Sequence, residues 1–163
     1  MFNWIHSDVF WSILLIIHGL LAVTLLGAIT HQSLALFRNL QYAPQSLVKR
    51  FQSVRPEVYT RTICILWLVT FFMGGWIYAQ YRITVRIPLE QQGYWWSQGF
   101  FEIKEHMVSI GTLLIPGYWA LWKNLDKPAF DLTRKYTTAL LAAICWFSFL
   151  VGHVLNNIRG FGS

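Results

Sequence analysis

Charge is scarce in this chain. Asp, Glu, Lys and Arg together make up 12% of 163 residues, only 7 of them acidic, while 55% are hydrophobic. Soluble domains carry roughly twice that charged share, and a domain of this size has no core large enough for so much apolar surface. An ordinary soluble fold is therefore excluded. Cysteine is nearly absent too: Cys64 and Cys145 are the two present, with no Cys-x-x-Cys-His, which excludes covalent haem attachment and a disulfide scaffold. Methionine occurs at Met1, Met73 and Met107 only, so methionine-rich copper motifs are missing. No ten-residue segments alternate apolar with polar, against a membrane barrel, and no internal repeat is evident. The first apolar run is long and has no basic segment before it, which predicts a retained span rather than a cleaved signal.

Four uncharged apolar runs hold the excess: 9–30, 62–81, 100–122 and 136–158. A helix crossing hydrocarbon needs ~20 residues at ~1.5 Å each, and lipid offers no partner to free backbone groups, so each run must be helical. The net charge of +6 would suit nucleic acid in a soluble protein, but here position matters more than the sum. Nine of the 13 basic residues sit in two connections: Arg38, Lys49, Arg50, Arg55 and Arg61 in the first, Lys123, Lys127, Arg134 and Lys135 in the last. By the positive-inside rule those connections are cytoplasmic. The expected architecture is an all-α integral-membrane four-helix bundle, one domain over 1–163, multi-pass in a bacterial inner membrane, with both termini on the outer, periplasmic side. Lipid is the first partner, and nucleic acid is set aside.

Trp and Tyr cluster at the run ends, as interfacial belts do. Small residues in the first run (Gly19, Ala22, Gly27, Ala28) and the Gly74-Gly75 pair in the second permit close approach of a helix or a flat cofactor. Residues 44–51 read as a short amphipathic surface helix. Tyr81 to Arg86 alternates like an extended segment, and Gln91-Gln92-Gly93 reads as a turn. The thiols of Cys64 and Cys145 are expected to be buried and free.

The richest stretch is 102–122, where Glu102, Lys104, Glu105 and His106 lead directly into an apolar run. Ionisable groups at membrane depth are costly and mark functional sites. Counted from the outer ends, His106 lies ~9 Å in, His153 ~8 Å and His18 ~13 Å. Three imidazoles from three spans at similar depth can hold a b-type haem, which needs two axial nitrogens, a flat apolar slot and cations for its propionates. On depth, His106 and His153 are the favoured axial ligands and His18 the substitute, with Arg82, Arg86 or Arg159 at the propionates. A two-haem stack wants histidines spaced by whole turns. His18 and His31 are ~140° apart around their helix, so one haem is expected. The same three histidines can instead bind copper or another metal, or simply hydrogen-bond neighbouring helices. Lys104 and Glu105 are either solvated or belong to a proton path or catalytic pair beside the centre. His6 and His31 read as interfacial.

The segment His18-Gly-Leu-Leu-Ala-Val-Thr-Leu-Leu-Gly27, the glycine-containing second span and Lys104 opening the third resemble a broad group of small four-helix membrane proteins. That group includes HemJ-type protoporphyrinogen oxidases and CopD-type copper-resistance proteins. The resemblance implies a haem-bearing site using the histidine of span one and the lysine of span three, here His18 and Lys104. The functional expectation is a membrane b-type haem protein that passes electrons near the periplasmic face between a quinone and a periplasmic redox partner, as a subunit of a larger complex. The alternatives are a HemJ-like porphyrinogen oxidase and a copper-handling membrane protein.

Overall fold

A computed structural model of the chain describes residues 8–36 and 55–161. Among them there is no strand. The elements in order are α1 (Asp8–Leu36), a single 3₁₀ turn at Pro56–Val58, α2 (Tyr59–Tyr81), a widened π-helical stretch at Arg82–Arg86, the short α3 (Ile87–Gln91), α4 (Trp95–Lys123) and α5 (Asp131–Ile158). The amphipathic segment expected at 44–51 and His6 lie outside the described residues.

Three of the long helices are long and apolar enough to cross a membrane: α1, the continuous helix from Pro56 to Gln91, and the C-terminal one from Pro128 to Ile158. The fourth, α4, is long enough at 29 residues but less apolar. Glu102, Lys104 and Glu105 occupy its first half, and the run after them is diluted by Ser109, Gly111, Thr112, Pro116 and Gly117. The outward faces nevertheless look alike. Ile13, Ile16, Leu20 and Val23 of α1 are exposed, and so are Ile110 and Leu113 of α4, Leu113 at 82%. Polar groups are instead held inside: Gln32, Thr60, Ser97, Gln98, Arg134 and Thr138 are all buried. That inversion suits hydrocarbon around the helices.

The long helices pack in a ring: α1 against α2 and α5, and α4 against α2 and α5. Their main core joins Leu25, Ile29, Ile63, Trp67, Ile115, Tyr118, Leu141 and Ile144. Each buried polar group there has a partner. Tyr118 donates its hydroxyl to Gln32 Oε1, and Gln32 Nε2 donates to Pro56 O and Thr60 Oγ1, both at 3.0 Å. Trp122 Nε1 donates to Thr138 Oγ1 at 3.2 Å. Arg134 donates to Leu121 O (3.0 Å), Asn124 O (2.8 Å) and Asp131 Oδ1 (2.6 Å), so one guanidinium closes the C-terminal end of α4 against the start of α5. Cys64 and Cys145 are buried and free.

The connection after α2 differs from its sequence pattern. Tyr81 to Arg86 is helical, not extended, despite the β-branched Ile83-Thr84-Val85. Tertiary packing outweighs the local preference: Val85 and Leu89 are buried against Phe101 and Leu155. Arg86 Nε also pairs with Glu90 Oε1 one turn on, at 2.7 Å. The turn at Gln92-Gly93 does form. Gly93 takes φ +82°, and Tyr94 N donates to Leu89 O at 2.9 Å, a glycine-terminated helix end that returns the chain into α4. α4 then begins at Trp95, a full turn before the expected 100, and Lys104 and Glu105 of its charged first half line one cavity with residues of α1 and α2.

Candidate functional site

The halves of the four long helices nearest the start of α1 and the end of α5 line a cavity of about 280 Å³. Its width comes from residues without side chains: Gly19 of α1, Gly74 and Gly75 of α2 and Gly152 of α5 all line it. Ile77 and Phe161, which line it, cluster with Trp11. Its walls are mostly apolar, yet several polar atoms in them are buried without a hydrogen-bond partner among the described residues: His18 Nδ1, Thr70 Oγ1, Ser148 Oγ and Arg159 Nε. Buried polar groups are almost always satisfied, because leaving one bare costs ~1–3 kcal/mol. Such a wall is chemically prepared for a ligand that supplies the missing partners.

The structure brings His18 and His153 to this cavity and leaves His106 out of it. His106 is exposed, and its Nδ1–H donates to Glu102 O of its own helix at 2.7 Å. Depth along the chain does not settle which face a residue presents. Lys104, Glu105 and Val108 face the cavity from α4, and a further 100° of rotation carries His106 past them. His153 is exposed, its ring parallel to Phe149 with centroids 6.1 Å apart, and Asn157 Nδ2 donates to its Nε2 at 3.2 Å. A ligand at His153 Nε2 must displace that amide. His31, at the other end of α1, stacks on Tyr59 with centroids 5.9 Å apart, far from the cavity along the helix.

Of the three arginines considered for propionates, Arg159 alone lines the cavity. Arg86 is engaged by Glu90 and, through Nη2, by Glu102 at 3.5 Å. Arg82 is exposed and lies 5.9 Å above the Tyr78 ring. Lys104 and Glu105 both line the cavity, with Lys104 Nζ 2.9 Å from Glu105 Oε1 and 4.1 Å above the Phe101 ring. Tyr81 was legible only as part of an interfacial belt. It is in fact 8% exposed, lines the cavity and stacks on Phe101 at 4.3 Å. Thr70 and Ser148 carried no sequence signal, since lone hydroxyls in apolar runs commonly bond their own helix.

Among the described residues no three His, Cys, Asp or Glu side chains converge as a metal-binding group. Two imidazoles on adjacent helices, an apolar slot cleared by glycines and two lining cations, Lys104 and Arg159, are nonetheless the kinds of group a b-type haem would require. The volume lies just below the usual ~300–1,000 Å³ of ligand pockets, so a porphyrin needs extra width, and the exposed His153 would give it by leaving its bond to Asn157. Comparison with known proteins finds no family model, no curated protein and no solved structure that matches this chain.

Proposed function

We propose that this chain is a four-span inner-membrane protein that binds one b-type haem in the outer cavity and passes electrons between a membrane quinone and a periplasmic partner. His18 and His153 are the axial donors in this reading, which replaces the His106–His153 pair favoured on depth alone. The observation that carries it is the buried, unbonded Nδ1 of His18 in a cavity that His153 also lines. The haem would supply one-electron redox chemistry. The chain's own contribution is to hold the ring between α1 and α5, to keep bulk water out behind Trp11 and Phe161, and to place a cation at Arg159. Periplasmic placement is supported by the basic residues: Arg61, Lys123, Lys127 and Lys135 gather at the end of the helices away from the cavity. Support for α4 as the fourth span is its length and the lipid-like exposure of Ile110 and Leu113.

The test is an absorption spectrum of the detergent-purified chain, oxidised and dithionite-reduced. A Soret band with a sharp reduced α-band is expected, lost in His18→Ala, shifted in His153→Ala and unchanged in His106→Ala. A colourless protein that takes up no added haem overturns the reading.

One specific observation favours a second reading, porphyrinogen oxidation. His18 and Lys104 line the same cavity, and Lys104 is paired there with Glu105. Lys104→Ala abolishes porphyrinogen oxidation in a complementation assay if that reading holds, and leaves the haem spectrum of an electron carrier intact. A copper site finds less support, since no methionine lines the cavity.

A further inference from the structure

A second cavity, of about 380 Å³, lies beside the first between the start of α1 and the end of α5. The two share a wall made of Leu15, Asn156, Arg159, Gly160 and Phe161. They differ in chemistry. The first is predominantly apolar, whereas Ser12, Asn156, Asn157 and Arg159 bring side-chain donors to the second, and among the described residues no Asp or Glu lines it and Arg159 is its one cation. Its Nε is buried and bonded to nothing among the described residues, and an arginine nitrogen can only donate. Ser12, Asn156 and Asn157 could each offer an acceptor oxygen in that lining, yet none of them bonds Arg159 Nε: Ser12 Oγ donates to Phe161 O at 3.4 Å and Asn157 Nδ2 to His153 Nε2 at 3.2 Å.

A cavity with a donor-only cation and, among the described residues, no carboxylate is complementary to an anion, and a planar guanidinium pairs bidentately with a carboxylate or a phosphate; with the first cavity read as a porphyrin site, the anion is a carboxylate. We propose that the two cavities form one bipartite site for an acidic amphiphile: its flat apolar body lies in the first, and a carboxylate arm crosses to Arg159 in the second. This rests on reading the first cavity as a porphyrin site and adds what class of porphyrin it takes, one with free acid side arms. Arg159 is a binding residue here, and the acid group, not the ring, sets affinity and orientation.

The experiment compares metal-free protoporphyrin IX with its dimethyl ester, followed by quenching of tryptophan fluorescence in detergent. No axial bond forms with either probe, so histidine ligation does not enter. The native chain is expected to bind the diacid about tenfold more tightly than the diester, the scale of one charge-assisted hydrogen bond. Arg159→Gln should erase that preference, Arg159→Lys should restore part of it, and Arg82→Gln should leave it intact. Size-exclusion profiles and helical circular dichroism of the variants check that each is folded. Equal affinity for diacid and diester in the native chain, or an unchanged preference in Arg159→Gln, overturns the inference. If the diacid is preferred but iron protoporphyrin gives no His18-dependent spectrum, the axial reading fails while the acid anchor stands. If neither porphyrin binds, both fall.

Discussion

The Cε1 edge of the His18 imidazole faces Gly74 so closely that a Cβ built on that glycine would come within 3.2 Å of it. Gly74 thus fixes where the cavity histidine sits. The adjacent Gly75, which also lines the cavity, has nothing within 4 Å of its own Cβ position.

Gly74→Ala should therefore displace the His18 ring, and Gly75→Ala should not. The imidazole resonances of His18 in ¹⁵N-histidine-labelled protein are expected to move in the first variant and stay in place in the second. Porphyrin binding should weaken in the first alone. Identical spectra for both variants would show that the contact does not position the ring.

Gly111 makes a tighter demand at the centre of the helices. A Cβ there would overlap the Trp67 ring, which is itself held by its Nε1 donating to Thr112 Oγ1 at 3.0 Å. The ring cannot swing away without losing that bond. Gly111→Ala is expected to destabilise by about 1–3 kcal/mol, the usual scale of overpacking. A denaturant titration in micelles measures it.

Tyr118 and Gln32 are both fully buried, and the phenol is the donor to the Gln32 carbonyl oxygen. Tyr118→Phe leaves that oxygen bare in an apolar interior while preserving ring volume. A loss of about 1–3 kcal/mol is expected. Combined with Gln32→Leu, which also removes the donor to Pro56 O and Thr60 Oγ1, the two losses should be less than additive, because the Tyr118–Gln32 bond can be lost only once. Additive losses would argue against the coupling.

Arg134 is 5% exposed and joins Leu121, Asn124 and Asp131. Arg134→Met keeps the stem but removes the donors to the last carbonyls of α4. The expected cost is about 1.5–3 kcal/mol, the range for hydrogen bonds to charged groups. Hydrogen exchange should rise locally at residues 121–131, while the imidazole resonances of His18 in the cavity at the other end of the helices stay unchanged.

The sequence by itself determined that the chain is helical and pointed to four spanning runs, because composition and run length answer directly to the cost of bare backbone in hydrocarbon; three of the four helices are long and apolar enough to cross a bilayer, and α4, with its charged first half, is not. It also showed the turn at Gln91-Gln92-Gly93, since a left-handed residue at a helix end calls for glycine. The tertiary structure decided which histidines share a cavity. Depth can be counted along a chain at a fixed rise per residue, but the facing of a side chain follows from how its helix is rotated against three neighbours. Packing also held Tyr81 to Arg86 in a helix against its β-branched pattern, and it gathered His18, Lys104 and Arg159 from distant segments into the walls of one space.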